Sequence, residues 1–334
     1  MRRFVGYEKG INLGGWLSQC NHTKQRYDNF IKEEDIKIIA EHGMDHIRVP
    51  FDYELIQDEG GDFLEEGFAY LDQCISWCDK YHLNLILDLH KTKGYSFDVG
   101  EKEDGFFDSL ELQDRFILLW EKMAIRYGQL EDMLAFELLN EVVAPEVAFQ
   151  WNGIIKLTIE KIREHAKNIK IIVGGVCNNS VMKVKLLDVP YDENIVYNFH
   201  CYEPLIFTHQ TAHWVNNMPI DFHIEYPGTI EAYREASKIL DEIYTECYLV
   251  EGVDSIGPEF FETIFEEAII KAEENNAMLY CGEYGVIDQA DKESVLRWFK
   301  DIHGVFEKHN IGYAVWTYRE MDFEVKEILA EIIL

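Results

Sequence analysis

Positive charge is in short supply in this sequence: 31 lysines and arginines stand against 62 aspartates and glutamates, for a formal net charge of −31. Nucleic acid and anionic membrane surfaces repel so negative a chain, which argues against both as partners and fits an uncharged substrate that needs no long-range steering. No apolar run approaches the roughly 20 residues needed to span a bilayer. Nor does an apolar stretch of secretory length follow Met1-Arg2-Arg3-Phe4-Val5-Gly6, so a cytoplasmic location is expected. The cysteines, at positions 20, 74, 78, 177, 201, 247 and 281, are odd in number and scattered through mostly apolar surroundings. Cys74 and Cys78 lie on one turn of a predicted helix, but the two further ligands that a structural zinc needs are missing nearby. Reduced structural thiols are the expectation. Also missing is a phosphate-cradling turn, since Gly10-x-x-x-Gly14-Gly15 lacks both the G-x-G-x-x-G spacing and a following helix.

Apolar residues are plentiful, at 47% hydrophobic and 13% aromatic, and 334 residues suffice for two domains or one large α/β barrel. Lys9 to Trp16 reads as a strand running into a glycine turn that presents Trp16, and a helix over 33–43 ends on Gly43. Asp45 to Pro50 is a second strand, with Arg48 near its end. An amphipathic helix over 64–82 precedes the strand Leu83 to His90, and a helix over 109–128 precedes the strand over 135–141. A helix over 146–166 leads to the fifth strand, Ile169 to Gly175, and a weaker helix lies over 181–187. The sixth strand, Asn194 to His200, delivers His200 and Tyr202. Residues 203–260 then break the rhythm, being too long for an ordinary connection, and read as a small inserted subdomain on the active-site face. A helix over 261–276, the strand 278–285, a helix over 291–309, the strand Gly312 to Trp316 and a short helix complete the chain. Such alternation implies a (β/α)8 barrel or a doubly wound sheet. Polar residues at the ends of six strands decide for the barrel, whose active sites gather at that face. Residues 1–334 are then a single barrel domain.

The chemistry centres on Ala135-Phe136-Glu137-Leu138-Leu139-Asn140-Glu141, an apolar strand that ends in an Asn-Glu pair. Strand alternation places Glu137, Leu139 and Glu141 on one side. A second strand-end glutamate stands in Met278-Leu279-Tyr280-Cys281-Gly282-Glu283-Tyr284-Gly285. Two carboxylates at the ends of different strands of one barrel suggest glycoside hydrolysis.

With these segments the chain resembles glycoside hydrolase family 5, a family of retaining barrel hydrolases. The likeness is carried in order by Gly-Ile-Asn-Leu-Gly-Gly-Trp, Ile-Arg-Val-Pro, Leu-Asp-Leu-His, Glu-Leu-Leu-Asn-Glu, Asn-Phe-His-Cys-Tyr, Cys-Gly-Glu-Tyr-Gly and Val-Trp-Thr-Tyr, over residues 10–318. It is most similar to clostridial cellulases with an inserted subdomain after strand six, and Asn-Leu-Gly-Gly-Trp also occurs in exo-β-1,3-glucanases. The resemblance implies Glu141 as general acid/base and Glu283 as nucleophile, with no metal and no cofactor. It implies Arg48 as support of Glu283, Asn140 as the partner of the sugar 2-hydroxyl, His90 and His200 as walls of the −1 subsite, and Tyr202 as a guide to the nucleophile. Trp316 would floor the pyranose, while Trp16 and Trp214 are candidate platforms for which core packing or a subdomain contact is an equal reading. Asp88 and Glu137 are expected to be interior partners of nearby polar groups. Relatives commonly continue the strand-three histidine with a second histidine and Ala-Pro-Gly; here the chain reads His90-Lys91-Thr92-Lys93-Gly94, which touches substrate preference and not the reaction. The expected activity is a retaining β-glucan hydrolase, acting on β-1,4 or mixed-linkage β-1,3-1,4-glucan, and the expected state is a monomer. The alternatives are an exo-acting β-glucosidase or exo-β-1,3-glucanase on short glycosides, and a non-catalytic carbohydrate-binding barrel.

Overall fold

The computed structural model describes residues 1–98 and 100–333. Among the described residues, eight parallel strands close into a barrel in chain order: β1 Lys9–Asn12, β2 His46–Asp52, β3 Asn84–Lys91, β4 Leu134–Glu137, β5 Lys170–Gly174, β6 Ile195–Cys201, β7 Met278–Tyr284 and β8 Gly312–Val315. β1 pairs with β8, which leaves no free edge. The (β/α)8 architecture expected from the alternation of elements is the one observed. β2, β6 and β7 are buried at every residue, because helices cover one face and packed side chains fill the other.

The barrel interior is layered, as the two-residue period of a strand requires. At the bottom Ile86, Ala135, Ile172, Val196, Met278, Tyr280 and Ala314 meet, and Phe4 and Tyr7 of the amino-terminal segment plug this end. Two residues further along the strands the filling turns polar: Asn12, Arg48, Asp88, Glu137 and Asn198 are all fully buried. The site sits above that layer, at the carboxyl ends of the strands.

Three outer helices tie down the strand ends. Trp120 in Leu110–Tyr127, Trp151 in Ala148–Arg163 and Trp298 in Lys292–His309 are fully buried. Their indole N–H groups donate to the carbonyls of Leu138 (3.0 Å), Gly174 (2.9 Å) and Glu203 (3.2 Å), the points where the chain leaves β4, β5 and β6. An apolar ring in the helix–barrel layer with a polar tip at a strand end is a natural use of tryptophan. These bonds fix the exits from which the site is built.

Two connections depart from the simple rhythm. After β5 the chain makes a short 3-10 helix, Val181–Leu186, where a weak helix was expected. After β6, short helices at Leu205–Thr208 and Ile230–Ala236 and a 3-10 turn at Glu242–Leu249 precede the barrel helix, which starts at Pro258, earlier than position 261. Tyr226, Tyr233 and Tyr248 are buried in this segment. Tyr226 anchors it to the helix Lys292–His309 through its hydroxyl to Asp301 Oδ2 (2.8 Å), and Arg297 Nε returns a bond to the Tyr226 carbonyl (2.9 Å).

Candidate active site

Arg48 organises the polar layer. Its Nε and Nη2 donate to Glu137 Oε2 (2.7 Å) and Oε1 (2.9 Å), its Nη1 to Glu283 Oε1 (2.7 Å) and Asn12 Oδ1 (2.9 Å), and its Nη2 to Asn140 Oδ1 (2.9 Å). Asp88 Oδ2 lies 3.1 Å from the same guanidinium. One positive charge therefore faces three buried carboxyls, and ionising all three would leave uncompensated negative charge in a low-dielectric interior. Burial accordingly pushes Asp88 up to about 7 against the pull of Arg48, and raises Glu137 by the same cause. Arg48 is held charged by its acidic neighbours.

Glu283 reaches the site through a defect in the strand. Tyr280 faces the barrel interior, so strict alternation would turn Gly282 inward and Glu283 outward. The pairing of β6 with β7 shifts here, from Phe199 opposite Cys281 to His200 opposite Glu283. The extra residue is Gly282, whose N–H donates to Asn198 Oδ1 (2.9 Å) and whose carbonyl accepts from Asn12 Nδ2 (2.9 Å). A Cβ at position 282 would stand 2.8 Å from Asn198 Oδ1, so only glycine lets the amide approach. Bulges re-aim side chains next to active sites, and this one brings Glu283 inward against Arg48. The Tyr202 hydroxyl donates to the other oxygen of Glu283 (3.0 Å).

Glu141 arrives by another route. β4 ends at Glu137, so the alternation expected to put Glu137, Leu139 and Glu141 on one side does not extend that far. Leu138 N bonds Ile172 O and Asn140 N bonds Leu89 O, which swings the chain across two neighbouring strands. Glu137 and Asn140 consequently share Arg48, and Glu141 takes a left-handed backbone with φ +39°. Its Oε1 lies 2.7 Å from His200 Nδ1, and its Oε2 accepts from Asn178 Nδ2 (3.1 Å). Burial pushes the Glu141 carboxyl up to about 7, and burial pushes His200 down to about 4, so the imidazole is neutral near pH 7. Oxygens of Glu141 and Glu283 approach within 4.8 Å of each other.

His90 and Asn140 complete the wall. His90 Nδ1 lies 2.6 Å from Asp88 Oδ2, while His90 Nε2 and Asn140 Nδ2 are buried and, among the described residues, have no hydrogen-bond partner. Buried polar nitrogens left unpaired are costly unless a ligand meets them. The Trp316 ring runs parallel to that of His90, at 3° and 5.7 Å between centroids. Trp214 lies further out, 45% exposed, with its ring against His209, His213 and Phe323.

Trp16 is a correction. It has no exposed surface, stacks on Trp77 at 6.2 Å, and donates its indole N–H to the Tyr27 carbonyl (2.9 Å), so it has no free face for a sugar. The tight turn at Gly15 (φ +74°) turns it into the core, away from the cleft. Asn178 and Asn179 were missed by sequence reasoning. Consecutive asparagines just past a strand are a turn signal, and a turn at a barrel strand end is where site residues sit.

The sequence profile described as cellulase (glycosyl hydrolase family 5) matches residues 7–322. Cellodextrinase A of Ruminococcus flavefaciens is 46% identical over 312 residues, spanning 93% of this chain and 85% of that protein. Endoglucanase C of Acetivibrio thermocellus is 41% identical over 325 residues, 96% of this chain and 94% of that protein. Among solved structures, the cellulose synthase subunit Z of Clostridioides difficile superposes with a TM-score of 0.79 at 23% identity, covering 98% of this chain and 100% of that one.

Proposed function

The chain belongs to the cellulase family, glycosyl hydrolase family 5, and from that premise we propose that it is a retaining hydrolase of β-1,4-linked glucans and their oligosaccharides, with Glu141 as acid/base and Glu283 as nucleophile. The observation that carries the reading is the pair itself: oxygens of the two carboxyls within 4.8 Å, on different strand ends, in opposite environments. Retention calls for carboxyl groups about 5–5.5 Å apart, inversion for a wider gap that admits a water.

The environments separate the two roles. Glu283 has the Arg48 guanidinium on one oxygen and the Tyr202 hydroxyl on the other, and the two donors fix its orientation for attack. Glu141, raised to about 7 by burial, keeps its proton at mildly acidic pH and gives it up as pH rises through neutrality. In the first step Glu283 attacks the anomeric carbon, the C–O bond to the leaving sugar breaks, and the Glu141 proton passes to the departing oxygen. In the second step Glu141, now a carboxylate, takes a proton from water, whose oxygen displaces Glu283 and restores both groups. Asn140 Nδ2 and His90 Nε2, the unpartnered nitrogens, are the donors and acceptors left for sugar hydroxyls. A bond from Asn140 to the 2-hydroxyl strengthens as positive charge develops at the anomeric carbon. Trp316 beside His90 supplies the apolar face on which the pyranose C–H groups rest.

Action on short chains is supported by likeness to a cellodextrinase and by the loop after β3. Lys91 pairs with Glu54 and Glu101 (2.7 Å each) and Lys93 with Glu59 (2.9 Å) and Glu103 (3.1 Å), while Phe97 meets the edge of His90 at 4.9 Å. That loop places the Phe97 ring directly against His90. Product profiling on cello-oligosaccharides, lichenan and laminarin tests the substrate, and NMR of the first-formed anomer tests retention. Turnover of laminarin alone would replace the β-1,4 reading with the exo-β-1,3 alternative, and a first-formed α-anomer would overturn the mechanism.

A further inference from the structure

We propose that Asn178 and Asn179 are positioning residues of this reaction, one amide supporting the ionised form of Glu141 and the next holding His200 in the tautomer that donates to Glu141. The proposal rests on the reading of Glu141 as acid/base.

Three successive residues after β5 lie in the left-handed region: Cys177, Asn178 and Asn179, with φ of +57°, +57° and +53°. Left-handed backbone is unfavourable for side chains in general and best tolerated by asparagine. This turn is pinned on both sides of the chemistry. Cys177 N and Asn178 N donate to the carbonyls of Val143 and Val142, the residues just after Glu141 (3.2 Å each), and Ser180 bridges to His200. The two amides then part. Asn178 Nδ2 donates to Glu141 Oε2 (3.1 Å), and Asn179 Nδ2 lies 3.3 Å from His200 Nε2. Asn179 is 1% exposed, and a Cβ at Gly174 would stand 2.2 Å from its Oδ1, so glycine there leaves room for this amide.

Donation from Asn179 makes Nε2 of the neutral imidazole an acceptor, which leaves the proton on Nδ1, 2.7 Å from Glu141 Oε1. Glu141 as a carboxylate therefore accepts on both oxygens, from His200 and from Asn178. That is the state reached after Glu141 has released its proton and needed when it draws one from water. Bonds to the charged form lower a carboxyl's pKa, so the two asparagines offset part of the burial that raises it. The other groups facing Glu141 are Arg48 from β2, Asp88 and His90 from β3 and Glu283 from β7. Tyr202 and Tyr244 face it from beyond β6, and Tyr95, whose hydroxyl donates to the Glu141 carbonyl (2.8 Å), from beyond β3. None of these is altered by changing an uncharged amide.

The test uses Asn178→Gly and Asn179→Gly, each of which keeps the left-handed backbone and deletes one amide without changing the charge of the site. Both variants are expected to move the upper limb of the kcat/KM profile to higher pH by about one unit. Both should also slow hydrolysis of the glycosyl-enzyme more than its formation on a dinitrophenyl glycoside. Nitrogen-15 shifts of the wild-type His200 ring should show Nδ1 protonated and Nε2 bare. An Nε2-protonated ring in the wild type, or an unmoved limb in folded variants, would overturn the proposal. Glu141→Ala separates the readings: if it leaves turnover intact, the acid/base assignment falls and this inference with it. If it abolishes turnover while the asparagine variants keep the wild-type limb, only the positioning role falls.

Discussion

Arg48 grips Glu137 with two parallel hydrogen bonds, Nε to Oε2 at 2.7 Å and Nη2 to Oε1 at 2.9 Å, and neither side chain has any exposed surface. The fork fixes the plane of the guanidinium, and that plane aims Nη1 at Glu283. Glu137→Gln should keep the fold and lower kcat on the order of 10- to 100-fold, because the nucleophile's support shifts. Arg48→Ala leaves Asp88, Glu137 and Glu283 facing one another without a cation and should destabilise the barrel by about 3–5 kcal/mol. Thermal denaturation checks the second outcome. A wild-type Tm for Arg48→Ala would remove Arg48 from the centre of the polar layer.

The roles of the two glutamates are separable by azide. Glu283→Gly should abolish turnover, and azide should restore part of it with an α-glycosyl azide as product. Glu141→Ala with azide should give the β-glycosyl azide, because the intact Glu283 still forms the intermediate. The same anomer from both variants would reverse or void the assignment.

Activity should fall as pH rises through about 7, where Glu141 loses the proton it must give. The sign follows from its role as an acid in the first step. With Glu141→Gln and a dinitrophenyl glycoside, whose leaving group needs no proton, the upper limb of kcat/KM should vanish. A limb that persists unchanged belongs to another group.

Stability should respond to acid through buried histidines. Burial pushes His200 down to about 4 and His209 and His303 down to about 3, against an unfolded value near 6.5. Below about 6.5 the unfolded chain binds protons that the folded one refuses, so their contribution is present at neutral pH and lost as pH falls toward 3–4. Glu141 and Asp88, raised to about 7, act in the opposite sense and lose stability as pH rises from about 4 to about 7. His303 stacks on Tyr313 and bonds the Tyr284 hydroxyl (2.6 Å), remote from the site. Relative to wild type, His303→Gln should therefore gain stability between pH 6.5 and 4, on the order of a few kcal/mol. Parallel pH–stability curves in chemical denaturation would contradict this.

Two tryptophans should divide cleanly. Trp16→Ala removes a fully buried ring and should cost about 3–5 kcal/mol of stability, with KM of the folded fraction unchanged. Trp214→Ala should leave Tm near wild type and weaken hydrolysis of longer oligosaccharides more than of a small aryl glucoside, since stacking at a remote subsite serves only the longer chain. Equal losses on both substrates would make Trp214 a packing residue.

The amino-acid sequence by itself determined the barrel, because apolar strand runs and helical periods are local and the polar strand ends mark one face. It also brought Arg48, Glu141, His200 and Glu283 to attention, since a charged or imidazole group ending an apolar run is visible in one dimension. What the tertiary structure alone decided is how those side chains turn inward. Alternation puts Glu283 on the wrong face, and the bulge that corrects it depends on Asn12 and Asn198, which lie 270 and 84 residues away from Gly282. Glu141 lies beyond the end of its strand in a left-handed conformation set by bonds to β3 and β5. Asn178 and Asn179 read as an ordinary turn until that turn is seen pinned to Val142, Val143 and His200. Trp16 stands in a site motif but points into the core, because the Gly15 turn, Trp77 and the Tyr27 carbonyl fix its direction. A local pattern records period and polarity, whereas the direction of a side chain at a strand end is set by hydrogen bonds from segments distant in sequence.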